Sequence, residues 1–289
     1  MIGGSFARAL RKAGAVEQIV GVGRTAASLV RAKELGIIDV ISTSVEEALR
    51  DADLVLLAAP VAQTEAILAA IQPYLQAQTV ITDAGSIKGE VVAAARRALG
   101  DKIGQFVPGH PIAGLEANGP DAAIDSLYTG KKVVLTPLPE NSTAQIALVS
   151  AAWEQCGAII HQLTPEDHDA VFAAVSHLPH LLAYALVDDI AAKPHADLLF
   201  QYAASGFRDF TRIAGSSPEM WRDISLSNQA AILTELDAYI AQLTRFRGQL
   251  AAGDGAAMQA MFANAQRARQ NWLSNIETAE VQPKQDRDQ

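Results

Sequence analysis

The feature that most constrains the fold is a change of period near residue 163. Before it, short apolar runs alternate with helical segments. The runs at 18–22, 40–41, 53–59, 79–82, 103–107, 132–135 and 158–160 read as strands. The stretches 25–35, 61–75, 90–99 and 143–156, and a short one capped by Ser44, read as helices. Near-continuous apolar strands separated by helices predict a parallel sheet covered on both faces. After Thr164-Pro165-Glu166 no strand signal returns. Val171, Ala174, Val175, Leu178, Leu181, Leu182, Ala185 and Leu186 follow a 3.6-residue period. A longer helix is predicted from Ser217-Pro218, a cap followed by proline at the first helical position. In it Ile232, Leu236, Tyr239, Leu243, Phe246 and Leu250 form a short heptad seam, and Ala257, Met261, Ala265 and Trp272 mark a last helix. The chain therefore divides into an α/β domain over 1–163, a helical domain over 164–276 and a polar tail over 277–289, whose composition predicts disorder.

The first residues define the α/β half further. Met1-Ile2-Gly3-Gly4-Ser5-Phe6-Ala7 runs straight into a helix with Phe6, Ala7 and Leu10 on one face. A doubly wound, Rossmann-like nucleotide-binding domain begins with a strand, then G-x-G-x-x-G, then such a helix. Here Gly3 stands as the third glycine, and the first strand and two glycines are missing, as expected of a truncated or misassigned start. In such sheets ligands bind beyond the carboxyl ends of the strands.

Composition narrows the partners. The 289 residues carry a net charge of −9, with 49% hydrophobic and 19% charged residues. That describes a soluble globular protein and argues against nucleic acid or an anionic membrane as partner. A local Arg/His cluster still allows a small anionic substrate. One cysteine, Cys156, excludes an internal disulfide and suits a reducing, cytoplasmic setting. No signal peptide is recognisable, and runs such as 53–60 are too short to span a bilayer.

Four stretches carry chemistry. In Val107-Pro108-Gly109-His110-Pro111-Ile112-Ala113-Gly114-Leu115-Glu116, two prolines deny His110 a helix. The imidazole is expected where a strand ends and a loop begins. Thr82-Asp83-Ala84-Gly85-Ser86-Ile87-Lys88-Gly89 puts Ser86 and Lys88 on the same rim. Ser176-His177-Leu178-Pro179-His180 sets two histidines on one helix face with a proline between them; no third ligand is spaced for zinc, and no metal site is predicted. Gly206-Phe207-Arg208-Asp209-Phe210-Thr211-Arg212-Ile213-Ala214, read as a link between helices, offers arginines that can clamp a carboxylate, with Asp209 placed to orient one of them.

These stretches, with Gly3-Gly4-Ser5, resemble the prephenate and arogenate (cyclohexadienyl) dehydrogenase family, in this order and over roughly residues 2–272. The resemblance implies oxidative decarboxylation of prephenate or arogenate, in tyrosine biosynthesis, with hydride transfer to NAD or NADP. It implies that His110 is the catalytic histidine and Ser86 the serine that orients it and the substrate hydroxyl. Arg212 would hold a substrate carboxylate, and His180, His177, Asp209 and Trp221 would bind substrate or shape its pocket. Gly3, Gly4, Ser5, Asp83 and Lys88 fall at cofactor-binding positions. The family's homodimers suggest that the heptad seam meets a second copy.

The cofactor is argued from residue chemistry. An NAD site usually ends its second strand with an acid for the ribose 2′-hydroxyl. Here Gly21-Val22-Gly23-Arg24-Thr25 has none, and Arg24 and Thr25 suit a 2′-phosphate, which favours NADP over NAD. Two other readings stand beside the dehydrogenase: a non-catalytic dimeric ligand-binding protein that has lost its phosphate loop, and another two-domain hydroxy-acid dehydrogenase.

Overall fold

The structure, a computed structural model, describes residues 1–281 except Glu116, with side chains to residue 275. Glu116, at the end of the His110 stretch, and residues 282–289 of the expected tail lie outside the described residues. The described chain forms two compact units that divide after Ile232, not at the boundary near 163 expected from the change of period.

The first unit opens with helix α1 (Ile2–Lys12), followed by β1 (Val20–Gly21), α2 (Ala26–Glu34), β2 (Val40–Ile41), α3 (Val45–Leu49) and β3 (Leu54–Leu57). Then come α4 (Thr64–Ile71), β4 (Val80–Asp83), α5 (Gly89–Leu99), β5 (Phe106–Val107), β6 (Gly109–Pro111), β7 (Lys132–Leu135), α6 (Thr143–Gln155) and β8 (Ile159–Gln162). Local chemistry explains many boundaries. Ser44 accepts from Glu47 N at the start of α3, and Ser142 and Gln145 close a reciprocal capping box at α6. Buried, β-branched Val80, Ile81 and Thr82 fit β4, a strand enclosed along its whole length.

The expected single parallel sheet is instead three ladders: β1–β2, β3–β4–β5 and β6–β7–β8. The first two are parallel throughout, whereas β6 runs antiparallel to β7. This corrects the placement of His110. The strand expected over 103–107 is a 3-10 turn as far as Gln105, with only Phe106–Val107 extended. Pro108 interrupts the ladder, and the chain re-enters a strand at once. His110 is therefore the middle residue of β6, paired with Val134, rather than a loop residue.

Two large cores flank these ladders, with a smaller cluster of Ala7, Ile37, Ile38 and Ala123 beside β2. Phe6, Tyr128, Val133, Leu135 and Trp153 fill one, with Phe6 and Trp153 ring centroids 4.5 Å apart. Leu68, Ile81, Ile87, Val91 and Phe106 fill the other, joined by Trp221 and Ile224 from the helical half. Cys156 is buried as a free thiol, and burial pushes its pKa up to about 12.

The helical half begins with α7 (Pro165–Phe172), a π-helical turn over Ala173–His177 and α8 (Leu178–Ala191). Pro179 has no N–H to give the carbonyl four residues back, which accounts for a widened turn just before it. Pro165–Ala191 is long and apolar enough to cross a membrane by length and composition alone. It exceeds the short runs noticed in the sequence. His168, Asp169 and His177 are buried on one face of it and bonded into the fold. Next are α9 (Ala196–Gln201), α10 (Ser205–Thr211) and α11 (Pro218–Ser227). The 206–214 stretch is thus largely helix, not a linker. The long helix expected from Pro218 breaks at Asn228, whose buried side chain turns inward; α12 (Gln229–Ala251) follows.

Most of α12 and α13 (Gly255–Val281) make the second unit. There Phe246 meets Phe262 edge-on at 5.9 Å. Helix α13 extends past residue 277, where the tail was expected to begin.

One buried ion pair fixes the start of β6. Lys88 is fully buried, and its Nζ donates to Asp83 Oδ2 at 2.5 Å and to the Gly109 carbonyl at 2.8 Å. Asp83 Oδ1 in turn accepts from Gly109 N at 2.9 Å. Removing one partner strands the other charge in the core. The Lys88→Met variant is expected to lose about 3–5 kcal/mol of stability, measured by urea unfolding of wild type and variant side by side.

Candidate active site

The site is assembled where β6 meets α7. His110 Nδ1 lies 2.9 Å from His168 Nε2. His168 Nδ1 lies 2.8 Å from Asp169 Oδ1. The Asp169 carboxylate also receives the backbone N–H groups of Lys88 and Gly89, each at 2.7 Å. These are the first donors of α5, a helix with no side-chain cap of its own. A carboxylate from α7 therefore caps α5, where the helix dipole favours negative charge. A Cβ at Gly89 would fall 2.9 Å from Asp169 Oδ2 and push the carboxylate off these donors. Phe172 packs on both imidazoles, its centroid 4.8 Å from His110 and 4.5 Å from His168.

A second layer joins this to the other predicted residues. Asn228 Nδ2 donates to the Asp169 carbonyl at 2.9 Å and lies 3.1 Å from His177 Nδ1. The Ser86 backbone bonds the His177 ring from the sheet side. Trp221 stands edge-on to His177 at 6.0 Å and stacks on His180 at 3.7 Å. His180 Nδ1 bonds the Ser176 carbonyl at 2.8 Å, and the Arg212 cation acts on the ring electrostatically. The buried Trp221 Nε1–H has no hydrogen-bond partner among the described residues. An unbroken set of contacts thus runs from His110 to the neighbourhood of Arg212.

The electrostatics keep the imidazoles neutral. Burial, reinforced by His168, Lys88 and His177, holds His110 well below the ordinary histidine range. Burial lowers His168 as well, although Asp169 pulls it upward. His177 is brought down to about 4, again chiefly by burial. His180 is lowered by burial and, more weakly, by Arg212. Asp169 is lowered: burial raises it, but His168 and the two backbone donors together outweigh burial.

Several candidate residues sit differently from expectation. Asp83 and Lys88, assigned to the cofactor, spend their polar atoms on each other and on Gly109. They brace β6. Ser5 is fully buried, donating to the Met1 carbonyl and accepting from Ile124 N, which makes it a backbone brace too. The ring bond expected between His110 and Ser86 goes to His168 instead. Arg208 and Asp209 are exposed and 3.9 Å apart. Gly3 and Gly4 occupy the first turn of α1, where a Cβ on Gly3 would sit 2.9 Å from Ala58 Cβ, just beyond β3. Arg24 and Thr25 are exposed beyond β1.

The sequence reading missed His168, Asp169 and Asn228. The first two lie in the turn after Thr164-Pro165-Glu166, where an acid-rich helix start is ordinary. Asn228 sits inside what reads as one continuous helix.

A Rossmann-like half with a neutral imidazole at its rim, followed by a helical half packed against that rim, is the build of a two-domain, dinucleotide-dependent oxidoreductase. Residues 6–162 match the family model described as prephenate dehydrogenase, nucleotide-binding domain, and residues 164–264 the one described as prephenate dehydrogenase, dimerization domain. The cyclohexadienyl dehydrogenase of Zymomonas mobilis is 39% identical, covering 83% of this chain and 82% of its own length. Prephenate dehydrogenase of Aquifex aeolicus, in complex with hydroxyphenyl propionate and NAD+, has a TM-score of 0.80 at 36% identity, over 97% of this chain and 94% of that one. Synechocystis arogenate dehydrogenase has a TM-score of 0.80 at 29% identity, over 94% and 96%. The chain belongs to the prephenate dehydrogenase family.

The depressed histidine pKa values have a stability consequence. Unfolded histidine takes its proton near pH 6.5, whereas folded His177 takes it only near 4. Between these values the unfolded state binds more protons, so stability rises with pH and is lost as pH falls. His177 alone accounts for roughly 3 kcal/mol across that window. The thermal midpoint is expected to drop steadily from pH 6.5 to 4, and His177→Asn to flatten that dependence, as scanning calorimetry would record.

Proposed function

We propose that this chain oxidatively decarboxylates prephenate, arogenate or both, with hydride transfer to a nicotinamide cofactor, in the synthesis of tyrosine. One observation carries the reading: the contiguous contacts that link a neutral imidazole, His110, to the surroundings of a cation, Arg212. The substrate needs both, a base for the hydroxyl at ring C4 and a cation for a carboxylate.

The cofactor's place is set by α1 and the end of β1. The first turn of α1 has no side-chain cap, so its backbone N–H groups at Gly3 and Gly4 suit a pyrophosphate. Arg24 and Thr25 suit a ribose 2′-phosphate, and no acid stands beside them to favour a free 2′-hydroxyl. We therefore assign NADP as the preferred cofactor.

A bound nicotinamide cofactor would supply the acceptor for the hydride that leaves C4. His110 takes the C4 hydroxyl proton as that oxygen becomes a carbonyl, and Ser86 hydrogen-bonds the same oxygen. Carbon dioxide then leaves C1, and the electron pair of the broken bond enters the ring. The ring becomes aromatic, and the proton held by His110 is available to the phenolate. Arg212 holds a carboxylate, with His180 and Trp221 shaping the pocket beside it. His177 and Asp209 support that side. The chain acts as a cytoplasmic homodimer. Its seam residues Tyr239, Leu243 and Leu250 are 37%, 46% and 59% exposed in a single copy, as a surface meant for a second copy would be.

Replacing His110 by Asn is expected to lower kcat by roughly 10²–10⁴-fold with little change in substrate KM. Because the ring stays neutral well below pH 6.5, the wild-type kcat/KM profile should keep its plateau at pH 6 and fall only at lower pH. Steady-state kinetics across pH, followed by phenolic product absorbance, tests both. Cofactor choice is tested separately: Arg24→Ala should raise the KM for NADP about 10–100-fold, the value of a charged hydrogen bond, and leave that for NAD nearly unchanged.

A further inference from the structure

We propose that His168 and Asp169 are positioning residues that fix the tautomer of His110, so that its Nε2 carries the lone pair that accepts the substrate proton. The inference rests on the reading of His110 as the catalytic base and deepens it.

The argument is one of hydrogen-bond parity. Asp169 Oδ1 already accepts from Lys88 N, and a carboxylate oxygen only accepts. His168 Nδ1, 2.8 Å from that oxygen, must therefore carry its proton. A neutral imidazole has one N–H, so His168 Nε2 is left as an acceptor. It lies 2.9 Å from His110 Nδ1, which must then donate. That leaves His110 Nε2 bare. The direction of every bond follows from the carboxylate, and the carboxylate is held by two main-chain donors that cannot reverse. The charged and titratable groups that act on His110 are Lys88, His168 and His177. Asp83 pairs with Lys88, and Asp169 with His168. None of these pairs offers His110 Nδ1 an alternative partner. Phe172 closes over both rings and limits their rotation.

The test uses three variants in the full chain and two readouts. Long-range ¹H–¹⁵N correlation spectra of histidine-labelled wild type should show His110 and His168 both protonated at Nδ1. His168→Leu removes the acceptor. It should lower kcat roughly 10²-fold or more at pH 7.5, leave substrate KM within about threefold, and allow the Nε2–H form of His110 to appear. His168→Gln can accept from His110 and donate to Asp169 through one amide; it should restore the Nδ1–H form and bring kcat back to within about tenfold of wild type. Circular dichroism and cofactor binding establish that each variant is folded. His110→Asn serves as the reference for loss of the base. If His110→Asn keeps its turnover, the reading of His110 as base fails. If His110→Asn is inactive but His168→Leu keeps wild-type kcat, or wild-type His110 is protonated at Nε2, the tautomer proposal alone is overturned. Equal losses in His168→Leu and His168→Gln, with His110 still protonated at Nδ1 in both, would also overturn it.

Discussion

The carboxylate of Asp169 on the first two donors of α5 is the interaction on which the rest depends. It is a capping bond of the ordinary kind in every respect but one: the capping residue is 80 positions away, on the first helix of the other half. Most helices are capped from the preceding loop, which makes their start a local matter. Here the start of α5 is complete only when α7 has docked. The same docking delivers His168 to His110 and lets Asn228 bond the carbonyl of Asp169. Formation of the sheet-side rim and of the helical half are therefore coupled, through a charge-assisted contact that tolerates little displacement.

Around that contact the fold excludes water from groups that would ordinarily hold a proton. Three imidazoles, one ammonium and two carboxylates share a small volume, and their net charge has to be settled by burial. The ammonium of Lys88 is matched by Asp83, and Asp169 is matched by helix-end donors and an imidazole. The imidazoles carry no charge because desolvation outweighs their attraction to the carboxylates. A proposed base that desolvation keeps neutral needs no strong acceptor beside it. It needs the correct nitrogen facing outward, and its hydrogen-bond partner decides which.

The two-part architecture was legible in the sequence because it rests on period. Alternating apolar runs and a later 3.6-residue repeat are properties of single segments, and α6, α7 and β7 fall close to where the pattern puts them. His110 was legible as a candidate from its prolines and glycines. Its strand was not, because β6 exists only through its pairing with β7, 24 residues away at the centre of the ladder. The bracing contacts of Asp83 and Lys88 were hidden for a related reason. Their spacing on a rim fits a ligand role, but Lys88 folds back under β6 and reaches Gly109. Asn228 was hidden because a single polar residue in a long amphipathic run looks like a surface position. Its function shows only when the helix breaks there and its side chain meets His177 and the Asp169 carbonyl.

Putting His110, the proposed base, on a short strand instead of a free loop has a physical advantage. A loop imidazole samples rotamers, and each turn of χ1 or χ2 would misalign its lone pair with a hydroxyl. His110 is held by ladder partners on its main chain, by Phe172 on its face and by His168 at one nitrogen. Lys88 and Asp83 clamp the residue before it through both backbone groups of Gly109, and a Cβ at Gly109 would come within 3.1 Å of the Asp83 carbonyl. The price is a buried ion pair whose desolvation adds nothing to stability in itself. What it secures is orientation fixed before substrate arrives, so that little reorganisation remains when the proton moves.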